Sequence, residues 1–151
     1  MTLKIISPEL SDRNRFSLAS INTYYGDTVC GIRIKDEYKD RIKLKYLLAV
    51  LNSKLIEWIY KKTTVPKAGG FFIYKVMYLK NIPLKEISLD DQKPFIDLAN
   101  EILTITEDDD YLTNFIKQAK VKAYERQIDQ MVYKLYNLTP DEVKIIEGAL
   151  G

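Results

Sequence analysis

Between Leu44 and Ile59, apolar side chains return at intervals of three and four. Leu44, Leu47, Leu48, Leu51, Leu55, Trp58 and Ile59 fall on one face of a 3.6-residue period, which predicts one amphipathic helix packed on a core. It closes on Lys61 and Lys62, cations that suit the negative end of the helix macrodipole. Pro66 and the Gly69-Gly70 pair then break the chain into a loop. Beyond them the pattern turns dense in Phe, Ile, Tyr and Val, predicting two extended segments, 70–76 and 77–84. The second ends at Ile82-Pro83-Leu84, because proline cannot donate to a ladder. A basic, glycine-containing loop is thus expected between a buried helix and a sheet.

The chain before this stretch reads as sheet. Lys4-Ile5-Ile6 opens a strand that Pro8 ends. Asp12-Arg13-Asn14-Arg15 is a polar turn, Phe16-Ser17-Leu18-Ala19 alternates at period two, and Tyr24-Tyr25-Gly26-Asp27 turns into a strand over 28–34. Short connections predict an antiparallel meander. The absence of any leader before that first strand suggests that Met1 stands at a fragment boundary.

From Ser88 the period becomes helical. Ser88 to Asp91 forms a capping box, followed by a stripe of Phe95, Leu98, Ala99, Ile102 and Leu103. The acidic break Glu107 to Asp110 leads to a long helix over 111–136, with Phe115, Ala119, Ile128, Met131, Val132 and Leu135 as its apolar stripe. Thr139-Pro140-Asp141-Glu142 starts a short helix carrying Val143, Ile145 and Ile146 and ending near Gly148. The expected class is α+β: a small antiparallel or mixed sheet with one packed amphipathic helix, followed by a helical segment of two longer helices and one short one. The division is 1–87 for the sheet-plus-helix region and 88–151 for helical support, within a single compact domain.

Composition removes several chemistries. The chain has no histidine and one cysteine, so the commonest general base, the commonest zinc ligand and any intrachain disulfide are missing. Cys30 reads as a small buried side chain, and no cofactor or metal site is expected. The Glu107 to Asp110 cluster lacks the alternation and glycine of a calcium loop and reads as a solvated turn. No apolar run approaches membrane-spanning length and no signal peptide opens the chain, which points to a soluble, cytoplasmic protein. The net charge of +2 conceals a gradient: residues 33–93 hold fourteen basic and seven acidic groups, residues 94–151 six and eleven. That balance suits one face for a polyanion, or a lysine-rich solvated surface.

Three runs carry a resemblance: Tyr46-Leu47-Leu48-Ala49-Val50-Leu51-Asn52-Ser53-Lys54, Tyr78-Leu79-Lys80-Asn81-Ile82-Pro83, and the segment from Ile128 to Thr139 (IDQMVYKLYNLT). In this order and spacing the chain resembles the TaqI-like C-terminal specificity domain of adenine-specific DNA methyltransferases and fused type II restriction–modification enzymes. The helix, glycine loop and Ile-Pro segment, followed by a helix start with Gln92, are also similar to target-recognition domains of type I specificity subunits. The resemblance implies a prokaryotic, non-catalytic reading head. S-adenosylmethionine and the Asn-Pro-Pro-aromatic motif for a flipped adenine would belong to a catalytic methyltransferase domain of the same polypeptide. Neither that tetrapeptide nor a glycine-rich cofactor loop of the methyltransferase type occurs here.

On this reading the partner is double-stranded DNA, read chiefly through the major groove, which distinguishes all four base pairs. Lys61, Lys62, Lys67 and Lys80 are the expected phosphate contacts, and Arg13, Asn14, Arg15 and Lys75 the expected base contacts. Gly69 and Gly70 would allow close backbone approach. Neutralising about four phosphates implies a log–log salt slope near −3.6. Tyr24, Tyr25, Tyr74 and Tyr78 either face DNA or pack the sheet. Asp129, Tyr133 and Tyr136 are expected in helix–helix polar contacts. The competing class is a protein-interaction module in which the long helix pairs with a partner or makes a homodimer through the C-terminal helices.

Overall fold

The computed structural model describes residues 2–24 and 26–150. Met1, Tyr25 and Gly151 lie outside the described residues, and with them the expected boundary at Met1 and any role of Tyr25.

One run of chain near the N-terminus builds two sheets. Strands β1 (Leu3–Pro8) and β2 (Leu10–Ser11) are separated only by Glu9. β1 is the central strand of the first sheet, with β3 (Ser17–Ser20) and β4 (Val29–Ile32) antiparallel on its two sides. β2 edges the second sheet, in the order β2-β6-β5, where β5 is Pro66–Lys67 and β6 is Phe71–Ile73. The antiparallel pairing expected from the sequence holds, but the meander order does not: a meander would leave β1 at an edge. β1 takes the middle because it carries Ile5, which is fully buried, whereas serine-flanked β3 and glycine-containing β4 suit edges.

The expected single helix over Leu44 to Lys62 is two. α1 (Leu44–Leu51) stops at Asn52, and Ser53 caps α2 (Lys54–Thr63) by accepting from the Ile56 N–H. Ser53 Oγ also donates to the Val50 carbonyl at 2.7 Å. Asparagine and serine are poor helix formers and strong caps, yet Leu51 and Leu55 remain four apart, so the apolar stripe runs through the break in phase.

After β6 the second expected extended segment is absent. Val76–Leu79 makes one helical turn, α3, because Tyr78, Leu79 and Ile82 reach the core at helical spacing. The chain then crosses to the helical region as a strap. The Tyr46 hydroxyl donates to the Lys85 carbonyl at 2.7 Å and the Tyr136 hydroxyl to that of Pro83 at 2.5 Å.

Three helices follow: α4 (Leu89–Thr106), α5 (Phe115–Leu135) and α6 (Pro140–Leu150). Ser88 caps α4 as read, accepting from the Asp91 N–H, though the Asp91 carboxylate takes the Ser88 hydroxyl rather than its N–H; at Thr139, read as an N-cap, the full reciprocal box closes with Glu142. Gln92 is fully buried; its amide donates to the Arg41 and Ile87 carbonyls and accepts from the Lys43 N–H. α5 starts later than expected. A separate turn occupies Tyr111–Thr113, and Asn114 caps the helix through the N–H groups of Ile116 and Lys117. Phe115 and Ala119 therefore precede the buried face, which begins at Val121; Ile145 of α6 is exposed as well. α5 ends with Asn137 in the left-handed region (φ 55°), where Leu138 N–H bonds the Tyr133 carbonyl and Asn137 N–H that of Lys134. One buried cluster joins β1, α1 and α2 to α4, α5 and α6, through residues such as Ile5, Leu51, Ile56, Phe95, Val132 and Ile146. No helix among the described residues is long and apolar enough to cross a membrane.

Candidate nucleic-acid interface

The helix break holds the polar turn that leaves β2. Asn52 acts as a strand edge: its Oδ1 accepts from the Phe16 N–H and its Nδ2 donates to the Phe16 carbonyl, both at 2.9 Å. Two residues earlier, Asn14 N–H donates to Glu57 Oε1 at 2.8 Å and Asn14 Nδ2 to the Leu51 carbonyl at 2.8 Å. The Tyr74 hydroxyl donates to Asn14 Oδ1 at 2.7 Å. Asn14 is 8% exposed, so its amide is committed to the interior and has no edge left for a base. It fixes the turn instead. Arg13 and Arg15, its neighbours, point to solvent and both pair with Asp12, at 3.5 and 3.1 Å. The Arg15 hydrogen bond in turn holds the Asp12 carboxyl below the usual range.

The second sheet carries the glycine loop. β5 and β6 form a hairpin around Ala68-Gly69-Gly70, with Lys67 opposite Phe71 and Pro66 opposite Phe72. Gly69 and Gly70 have φ of 78° and 79°, a region costly for residues with a Cβ. A Cβ at Gly69 would also meet the Phe71 ring at 3.4 Å, whereas one at Gly70 meets nothing. Residues 65–71 are all exposed, so the hairpin stands clear of the terminal helices.

Side chains opposite one another, or two apart along a strand, share a face. Leu10, Ile73, Phe71 and Lys67 therefore line the front of this sheet, and Leu10 and Phe71 are 52% and 39% exposed. Ser11 and Phe72 line the back, against the core. The back is strapped in place. The Tyr60 hydroxyl and Thr64 Oγ1 donate to the Ile73 carbonyl at 2.8 and 2.5 Å, and Cys30 Sγ donates to that of Tyr74 at 3.0 Å. Cys30 is half-buried, and burial pushes its thiol pKa up.

Lys67 lies on β5 beside the glycine turn and Lys75 two residues past β6 at its other end, while Arg13 and Arg15 stand in the turn between β2 and β3, Arg13 within electrostatic reach of Glu125 on α5. Lys75 pairs with Glu9 at 2.9 Å, which raises its pKa. Such exposed pairs are worth about 0–1 kcal/mol, so exchanging them for phosphate costs little. Lys61 and Lys62 lie on α2, behind the sheet: Lys61 Nζ is 5.3 Å from the Phe72 ring centroid and Lys62 Nζ 5.5 Å from that of Trp58. Lys80 is exposed just past α3. Among the tyrosines, Tyr74 is buried and stacked on Tyr60 at 4.5 Å, Tyr78 is partly buried, and Tyr24 is 95% exposed. The helical polar residues make contacts between elements: Asp129 Oδ1 accepts from the Lys54 N–H at 2.8 Å, and the Tyr133 hydroxyl donates to Glu147. Asp108 and Asp110 both pair with Lys117.

The sequence reading missed the clamp of Asn52, Glu57 and Tyr74, and the open apolar front of Leu10 and Phe71. The signal for the clamp was present, as an Asn-Ser pair interrupting a leucine stripe. No curated protein matches the chain at a significant level. The family model of the TaqI-like C-terminal specificity domain matches residues 1–84, which span both sheets, the helix break and the glycine hairpin. With more than half its length matched, the chain belongs to the TaqI-like C-terminal specificity domains.

Proposed function

We propose that this chain binds duplex DNA and reads a short sequence with the front of its second sheet, as the recognition part of a type II restriction–modification methyltransferase. The observation that carries the reading is the exposed hairpin with its two positive-φ glycines and Lys67 on its front. Arginine pairs bidentately with guanine in the major groove, and an apolar side chain such as Phe71 or Leu10 contacts a thymine methyl. The immobilised 12–16 turn supports this role, since base readout needs side chains held in register. Lys80 serves as a phosphate contact at the periphery, whereas Lys61 and Lys62, held behind the sheet on Phe72 and Trp58, lie away from a duplex on the front. Adenine methylation with S-adenosylmethionine belongs to a separate catalytic domain of the parent enzyme, in the cytoplasm.

Selection from a random-sequence duplex pool tests this. The chain enriches one short sequence, and Arg13→Ala with Arg15→Ala, or Lys67→Ala with Phe71→Ala, loses the enrichment while melting at the wild-type temperature. Retained enrichment in both double variants would contradict the reading.

A second reading draws on Leu112, Phe115 and Ile116, which are 84%, 82% and 83% exposed where α4 turns into α5. Apolar side chains grouped this far outside the core favour a contact of the helical region with a protein surface, either the catalytic domain or a second copy. Sedimentation of the chain with and without Phe115→Ser separates self-association from a monomer.

A further inference from the structure

A second cationic feature lies at the other end of β1. Where β1 and β4 run out at Leu3 and Arg33, the first sheet parts from α1 and α4 and leaves an open cleft of about 1310 Å³. Its wall carries Arg33, Lys35, Lys39, Lys43 and Lys45, against one carboxylate, Asp36. Asp36 is already neutralised by Lys39 at 2.5 Å, which holds its pKa low. Lys45 reaches Asn100 Oδ1, but Arg33, Lys35 and Lys43 form no ion pair among the described residues. Leu3, Ile34 and Leu44 give the cleft an apolar floor.

The cations are placed against the fold's own interest. α4 and α6 open on acidic residues, as the macrodipole favours, whereas α1, like α5, has no acid in its first turn, and it opens on Lys43 and Lys45. An anion from outside the chain reverses the sign of that arrangement. The cleft and the second sheet are joined by one short run of chain. Leu3 and Ser11 are eight extended steps apart, at most about 26 Å, less than the roughly 34 Å of one DNA turn.

We infer that the cleft binds the phosphodiester backbone of DNA flanking the base pairs read at the hairpin, with the cations on phosphates and the apolar floor against deoxyribose. This rests on the recognition reading above. It adds a site that anchors DNA without reading sequence.

The test is fluorescence anisotropy of the full chain on a random-sequence duplex of about 20 base pairs across a salt series, for wild type and Arg33→Ala/Lys35→Ala/Lys43→Ala. The three side chains are exposed, so the melting temperature is expected to stay at the wild-type value; Lys35→Gln alone provides a milder variant. Loss of three phosphate contacts makes the log–log salt slope shallower by about 2.7, and by about 0.9 for the single variant. The sequence selected from a random pool does not change. An unchanged slope in the triple variant overturns the cleft inference and leaves the recognition reading intact. A wild type with a steep, cleft-dependent slope but no selected sequence overturns the recognition reading and supports the cleft as an anchor. A wild type that binds no duplex overturns both.

Discussion

The two sheets share one run of chain, Leu3 to Ser11, and differ in what covers them. In the first, the face bearing Ile5 is packed on the helices and opens only at its Leu3 end, and even Lys4 on the opposite face is 8% exposed, its ammonium on the carbonyls of Ile21 and Thr23. In the second, the back is sealed by Ser11 and Phe72 while the front shows Leu10 and Phe71 to solvent. Strands of two and three residues bury too little area to hold themselves. The second sheet persists because side chains behind it bond its backbone: Tyr60 and Thr64 to Ile73, Tyr74 to the 12–16 turn. The first sheet is scaffold; the second is a platform supported from the rear with its front free.

Substitutions that treat the sheets alike should break this contrast. Ile5→Ala is expected to cost about 2–5 kcal/mol in chemical denaturation, the usual penalty for emptying a buried aliphatic site. Leu10→Ala, in the same run of chain, should stay within about 0.5 kcal/mol yet weaken DNA binding. A stability loss at Leu10 equal to that at Ile5 would mean that the front is core.

The rear support has its own signature. Asp129, which accepts from the first N–H of α2, has its pKa pushed by burial up to about 6, opposed by the Lys54 N–H and charge and reinforced by Glu125 and Glu147. Because the folded value lies above the unfolded one, this group's stabilisation is complete below about pH 3.9 and lost as pH rises through about 6. At about 1.4 kcal/mol per unit, the loss approaches about 3 kcal/mol. Asp129→Asn keeps an acceptor without the charge, so its stability relative to wild type should climb between about pH 4 and 7. Denaturation curves at the two pH values read the difference, and a constant offset would refute the assignment.

Asn52→Ala strands the Phe16 N–H and carbonyl, and should cost about 1–3 kcal/mol while flattening sequence preference, as the turn bearing Arg13 and Arg15 loosens. Smaller still, Gly70→Ala meets open space and should cost only the positive-φ strain, about 1 kcal/mol, read as a small drop in melting temperature. A large drop would place the hairpin inside the core.

Periodicity made the helices legible. The stripes of α4 and the later part of α5, and the caps at Ser88 and Thr139, followed from local spacing and cap chemistry alone. The break at Asn52-Ser53 was hidden because Leu51 and Leu55 keep the helical phase across it. Strand order was hidden because short connections permit β1 at an edge or at the centre, and only the burial of Ile5 decides. The loop at Gly69-Gly70 was readable from its paired glycines, but the hairpin it closes was not, because Pro66-Lys67 is too short to show a strand pattern. Asn14 was not: its burial comes from Leu51, Glu57 and Tyr74, far away in sequence. The basic cleft was equally hidden, its cations being divided among a strand end, a turn and a helix start. Two of the three runs read for the family lie within the matched residues 1–84 and the third, from Ile128 to Thr139, lies outside them; all three prove to be fasteners. Asn52 clamps the turn, the Pro83 carbonyl holds the strap, and Asn137 closes α5.

The most direct test of the open platform is an amide chemical-shift map of the chain titrated with the duplex it selects. Perturbations concentrated on Leu10 to Arg15 and Lys67 to Lys75, with a second set over Arg33 to Lys45 where the cleft holds the flanking backbone, and the α5 and α6 amides unmoved, are the predicted result. Perturbations confined to the terminal helices, with the hairpin silent, would contradict it.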